Sequence, residues 1–357
     1  MNTSMVDWDL AVSTGKRLVR PGPVIPRAEA RAAVADLRRF AGKAQDHVRD
    51  FTGLTADTDG ASVAVIDRPA WIESNAAGFR TILDPVIEKL AAKRPPSATM
   101  NAVGSRLTGV QTGSLLAFLA TKVLGQYELF PPYGEDPGTR PGRLLLVAPN
   151  SVAAEHEMGV DPADFRLWVC LHEETHRVQF GAVPWLREHV MSELHAYIDE
   201  TDVDPSAVAR RLWALAGAAY DAVRGEGSDE GGSLLEIVQT PAQKEILDRV
   251  TGLMSLLEGH ADFVMDGVGP QVVPSVEDIR AKFQRRRKEV TRPEQVIRRL
   301  LGIDAKLRQY RDGEAFVRGV VELTDMKTFN AVWDRPENLP AKAELADPAA
   351  WVKRVHG

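Results

Sequence analysis

Apolar residues recur at mixed three- and four-residue steps through "IPRAEARAAVADLRRFAGKAQDHVRDFTGL" (25–54), with Pro26 near its start and Gly53 near its end. That period describes one stripe of a helix, and the two breakers mark its limits. "ASVAVIDRP" (61–69) is short, carries valine and isoleucine and is stopped by proline, the pattern of a strand. Helical spacing resumes over 71–93 and 105–124. "PPYGEDPGTRPG" (131–142) has the proline and glycine density of a loop and leads into a second strand, "RLLLVAPN" (143–150). "RGEGSDEGGS" (224–233) reads as a flexible connection between helices. Beyond Gly269 the pattern is helical to about position 311, then mixed. The expected fold class is mainly α, an α+β chain with a small sheet. No long flexible linker interrupts it, so the expected organisation is a single compact unit over 1–357. Within it lie an N-terminal helical portion (1–130), a metal-binding core (143–270) and a C-terminal helical portion (271–357).

One helix breaks its own pattern. Asp161 before Pro162 is an N-cap followed by proline at the first helical position, and Gly181 with Pro184 is a stop, which predicts a helix over 162–180. Along it Phe165, Trp168, Val169, His172, His176 and Phe180 fall on one stripe. The stretch "VCLHEETHRVQF" (169–180) therefore places its histidines on the apolar face, where a polar group needs a partner. Residues four apart point the same way, so His172 and His176 can direct ring nitrogens at one ion, with Glu173 beside them. This is the H-E-x-x-H arrangement. Two neutral imidazoles hold Zn²⁺, one per chain, and the intervening glutamate acts as general base towards the water the metal activates.

A catalytic zinc site commonly has three protein ligands. "TPAQKEILDRVTGLMSLLEGHADFVMDGVG" (240–269) predicts a helix opened by a Thr240/Gln243 capping box with Pro241 in its first turn, and Gly267 can terminate it. Glu258 lies there in an apolar stripe with Leu247, Met254, Ala261 and Met265, so a buried carboxylate awaits compensation that a divalent cation would supply. Asp262 lies one turn on, and the pair resembles the arrangement of glutamate-type zincins, in which such an aspartate accepts a hydrogen bond from the far nitrogen of a metal-bound histidine. Glu193 is the rival third ligand, with Tyr197 and no aspartate four residues later. His195 and His260 are further candidates.

Composition narrows the functional classes. A formal charge of -6 gives no reason to expect nucleic acid as a partner, and "KFQRRRKEV" (282–290) reads as a solvated helix face. The lone Cys170 excludes an intramolecular disulfide and a multi-thiolate metal site. "MNTSMVDWDLAV" lacks the order of a secretory signal, and no run reaches the ~18 apolar residues of a membrane span. The nearest, "LTGVQTGSLLAFLATKVLG" (107–125), is interrupted by Gln111, Thr112, Ser114 and Lys122 and reads as a core helix. A cytoplasmic protein with no membrane partner is expected.

With His172, Glu173, His176 and "LLEGHADFVMDGVG" assembled, the chain resembles the zincin-like metallopeptidase family type 2, a group of bacterial hydrolases. The similarity extends over "VDWDLAV", "FTGL", "DRPAWIESN", "VAPNSV", "VPWLREHV" and "EGHADFVMD". It implies a mainly helical fold with a zincin core. The expected activity is hydrolysis of a peptide or another amide, with Glu173 taking the proton of the attacking water and passing it to the leaving amine. The strand "RLLLVA" (143–148) is either an edge for an extended peptide or a simple core strand, and Tyr197, Tyr220 and His260 are candidate oxyanion donors. Two alternatives remain open: a non-catalytic zinc-stabilised module that binds a peptide or protein, and hydrolysis of a non-peptide amide.

Overall fold

The computed structural model describes residues 6–56, 62–93, 98–129, 142–200, 240–288 and 303–357. The expected loop at 131–142, apart from Gly142, and the glycine-rich 224–233 lie outside the described residues. The chain divides into two units: Met1–Ala182 with Val264–Phe283, and Val183–Phe263 with Gln284–Gly357.

The first unit holds the sheet. Its elements are α1 (Trp8–Leu18), α2 (Arg27–Thr52), β1 (Val63–Ile66), α3 (Arg68–Lys93), α4 (Ala98–Leu119), β2 (Gly125–Glu128), β3 (Arg143–Val147), α5 (Ala148–Met158) and α6 (Pro162–Ala182). Strand order is β1-β3-β2, with β1 parallel to β3 and β2 antiparallel to it. Leu144 faces Val63 on one side and Tyr127 on the other. Side chains alternate across the sheet, so Leu144 and Leu146 join the core under α2 and α6, whereas Leu145 and Val147 join Trp8, Trp71, Ile72 and Leu116 on the opposite face. Helices thus cover both faces, which is why β3 reads as an unbroken apolar run.

That burial decides between the two readings of β3, a peptide-pairing edge or a core strand, in favour of the core strand. Both of its rims are paired, and all of Leu144–Val147 is shielded from solvent. Among the described residues the edge beside α6 is β2, a strand the apolar pattern does not announce. Its inward Gln126 and Glu128 are polar but satisfied. Trp71 Nε1 donates to Gln126 Oε1 at 2.9 Å, Ser74 Oγ to Glu128 Oε1 at 2.5 Å, and Arg143 Nε to Glu128 Oε2 at 3.0 Å.

Helix α6 is fixed as its cap residue requires. Asp161 Oδ1 accepts from the backbone of Ala163 and Asp164, each at 2.9 Å. It packs on α2 through Phe165, Val169 and Cys170, with Arg166 bridging Glu155 and Asp36. A long helix α8 (Pro241–Val272) follows α7 (Pro184–Asp199), and α9 (Val276–Lys288) comes next. The Thr240/Gln243 capping box forms, the two backbone N–H groups donating at 3.0 and 3.1 Å. Gly267 does not end α8. The helix runs on to Val272, and a Cβ at Gly267 would lie 2.1 Å from Phe51 Cζ, so this glycine serves the packing of α8 on α2 and not a helix stop.

The second unit is helical among its described residues: α7, the first part of α8, α10 (Ile303–Leu323), the short α11 (Met326–Phe329) and α12 (Pro348–His356). Trp351, Phe316 and Phe329 are fully buried, and Trp351 Nε1 donates to Asn338 O at 2.7 Å. α8 and α10 cross at bare backbone, because a Cβ on Gly259 would lie 2.2 Å from Gly313 C. No helix among the described residues is long and apolar enough to cross a membrane.

Candidate metal centre

The five residues His172–His176 divide between two faces of α6. Glu174 points away from the histidines into protein. It is fully buried, its Oε2 accepts from Arg177 Nε at 2.5 Å, and Arg177 donates onward to Gln45 of α2 at 2.7 Å. Burial pushes its carboxyl up to about 7 against the opposing pull of Arg177. Thr175 returns its hydroxyl to Leu171 O at 2.8 Å. Glu174 and Arg177 thus tie α6 to α2, whereas the Thr175 bond stays within the helix.

His172 and His176, both half-buried, occupy the other face. Their Nε2 atoms lie 3.3 Å apart, with the rings perpendicular at 4.8 Å between centroids. The far nitrogens are engaged: His176 Nδ1 is 2.9 Å from Gln179 Oε1, and His172 Nδ1 is 3.2 Å from Met265 Sδ. An amide oxygen and a thioether only accept, so with the proton on Nδ1 each ring would turn the lone pair of Nε2 towards its neighbour. Two nitrogens at ~2.05 Å from a tetrahedral zinc would be about 3.3 Å apart. The observed separation meets that condition.

Glu258 is half-buried on α8, a helix whose later turn supplies Met265 to the same histidine pair. Ligand atoms of His172, His176 and Glu258 all lie within 4.8 Å of one another. Two imidazoles and a carboxylate are a donor set that suits zinc. The rival Glu193 is engaged elsewhere, accepting from Arg249 Nε at 3.0 Å and from its Nη2 at 2.8 Å. Asp262 stands half-buried one turn beyond Glu258.

Glu173 is 7% exposed and faces β2. A Cβ on Gly125 would lie 2.5 Å from Glu173 Cγ and 2.6 Å from Cδ, so only glycine lets the edge strand approach this side chain. Two residues on, Tyr127 stacks on Phe180 of α6 with centroids 5.6 Å apart and planes 16° from parallel. Among the candidate oxyanion donors, His260 is fully buried against Phe329 and Trp333, a core position. Tyr197 is half-buried and His195 exposed on α7, and Tyr220 lies outside the described residues. The roles of Gln179 and Gly125 are not announced by the sequence pattern, and Met265 is announced there only as an apolar neighbour of Glu258. The one available signal was Gln179, a polar residue three positions after a ligand candidate inside an apolar stripe.

A mainly helical chain that opposes two histidines one turn apart on a half-buried helix and brings a carboxylate to them has the architecture of a zincin-like protein. Residues 6–352 match the zincin-like metallopeptidase family, and the chain belongs to it. Among solved structures it is similar to a "putative hydrolase with a novel fold" from Chloroflexus aurantiacus, at 31% identity over 98% of each chain and a TM-score of 0.70. None of the curated proteins compared with it matches. The family and that neighbour together support a hydrolase.

Proposed function

We propose that the protein is a zinc-dependent peptidase in which His172, His176 and Glu258 hold one zinc ion and Glu173 is the general base. The observation that carries this reading is the convergence of the two Nε2 atoms, 3.3 Å apart, with a Glu258 oxygen in the same cluster. When bound, zinc supplies Lewis acidity, easing deprotonation of water and polarising a carbonyl. Gln179 and Met265 hold the imidazoles in the ligating tautomer. Asp262 supports the ligand shell from its place one turn beyond Glu258. Glu173 takes the proton from the attacking water as the carbon–oxygen bond forms. It returns that proton to the departing nitrogen as the carbon–nitrogen bond breaks, so no covalent enzyme intermediate is required.

An extended peptide is the favoured substrate because β2, an edge strand among the described residues, runs beside Glu173 and would offer its outer rim to a further strand. The zinc-loaded chain incubated with a peptide library and read by mass spectrometry should give defined cleavages, and Glu173→Gln should abolish them while retaining zinc. Cleavage that persists in Glu173→Gln would remove this glutamate from the mechanism. A chain that binds peptide without cutting it would instead be a binding module.

A further inference from the structure

We infer that Tyr127 and Phe180 form the wall of a specificity subsite that takes a large apolar side chain of the substrate; this rests on the peptidase reading above. Phe180 follows His176 by four residues, as His176 follows His172, so the three side chains lie on one stripe of α6. The aromatic residue therefore stands about one turn, roughly 6 Å along the helix axis, beyond the second histidine. Its partner comes from β2, the strand whose Gly125 backbone meets Glu173. Strand and helix thus run side by side, with Glu173 and Gly125 at one level and the stacked rings of Tyr127 and Phe180 at the next, 5.6 Å apart.

The pair differs from ordinary core. Leu144, directly paired with Tyr127, and Phe165 on α6 are both fully buried, whereas Tyr127 and Phe180 are each half-buried at the outer edge of the sheet. Tyr127 is also held in place from behind. A Cβ on Gly142 would lie 2.3 Å from its Cζ, so the ring rests directly on bare backbone. A substrate strand laid along β2 advances about 3.3 Å per residue, which carries a side chain next to the scissile bond to the ring ledge. Aromatic faces there reward burial of aliphatic or aromatic groups.

The test uses the zinc-loaded full chain, titrated calorimetrically with two peptide hydroxamates that differ only in carrying a benzyl or a methyl side chain next to the chelating group. The benzyl compound should bind about 10- to 100-fold more tightly. Tyr127→Ala and Phe180→Ala should each reduce that ratio severalfold with zinc content unchanged. Should the smaller residue at 127 prevent folding, Phe180→Ala and the wild-type ratio still decide the matter. Equal binding of the two compounds by the wild type overturns the proposal. So does an unchanged ratio in the variants accompanied by lower melting temperatures, which assigns the rings to packing alone. Failure to bind either compound tells against the peptidase reading itself, an outcome distinct from equal binding.

Discussion

Replacing Gln179 by leucine should weaken zinc binding about 10- to 100-fold in a chain that still folds. Gln179 is fully buried, and its Oε1 lies 2.9 Å from His176 Nδ1. Leucine fills a similar volume, so the substitution removes the acceptor without opening a large cavity. The imidazole must then keep an unsatisfied proton on Nδ1 or move it to Nε2, the atom turned towards His172. A buried donor left without a partner costs about 1–3 kcal/mol. A loss of 10- to 100-fold in affinity corresponds to about 1.4–2.8 kcal/mol, so the two routes to the magnitude agree. Competition with a chromophoric chelator near neutral pH measures it, and Gln179→Glu, which restores an acceptor oxygen, should recover most of the affinity. Unchanged affinity in Gln179→Leu, with normal thermal unfolding, would refute the claim that this amide fixes the ligating tautomer.

Glu258→Ala should lose tight zinc binding, whereas Glu193→Ala should retain it, because Glu193 is already engaged by Arg249; metal analysis giving the reverse pattern would move the third ligand to α7. Gly125→Ala should lower the rate of peptide cleavage about 100-fold with zinc retained, since the new methyl would stand 2.5 Å from Glu173 Cγ and turn the carboxylate aside; an unaltered rate would mean that Glu173 does not act from this position. The Arg354 hydrogen bond holds the Glu344 carboxyl below its usual value of 4.5. A depressed acid stabilises the fold above its unfolded value and loses that contribution as pH falls through the folded one. Glu344→Gln should therefore melt lower than wild type near pH 7, with the difference shrinking in acid; a gap that widened in acid would contradict the assignment.

What the sequence made legible was mostly what has a local cause. Caps act over three or four residues, so Asp161 and the Thr240/Gln243 box announced the starts of α6 and α8 correctly. The placement of His172, His176 and Glu258 on apolar stripes made them candidates for the same reason, because a polar group on a buried face must meet something. Long-range pairing was not legible. The apolar run of β3 reports that both faces are covered and says nothing about its rims, and so edge and interior positions stood open for it alike. β2 stayed hidden because its inward residues, Gln126 and Glu128, are polar and are satisfied by Trp71, Ser74 and Arg143 from other elements. Gly267 looked like a stop because a glycine needed for a close ring contact and one needed for a left-handed cap are the same letter. Gln179 and Met265 depend on side-chain rotamers, which periodicity does not encode.

The most direct test of the central claim is the metal content of the full chain purified near neutral pH without chelator, read by inductively coupled plasma mass spectrometry beside a His172→Ala, His176→Ala double variant. The account predicts about one zinc per chain in the wild type and none held at this site in the double variant. A wild-type chain that binds no divalent metal tightly under those conditions would contradict it, and would leave the two facing imidazoles as features of packing alone.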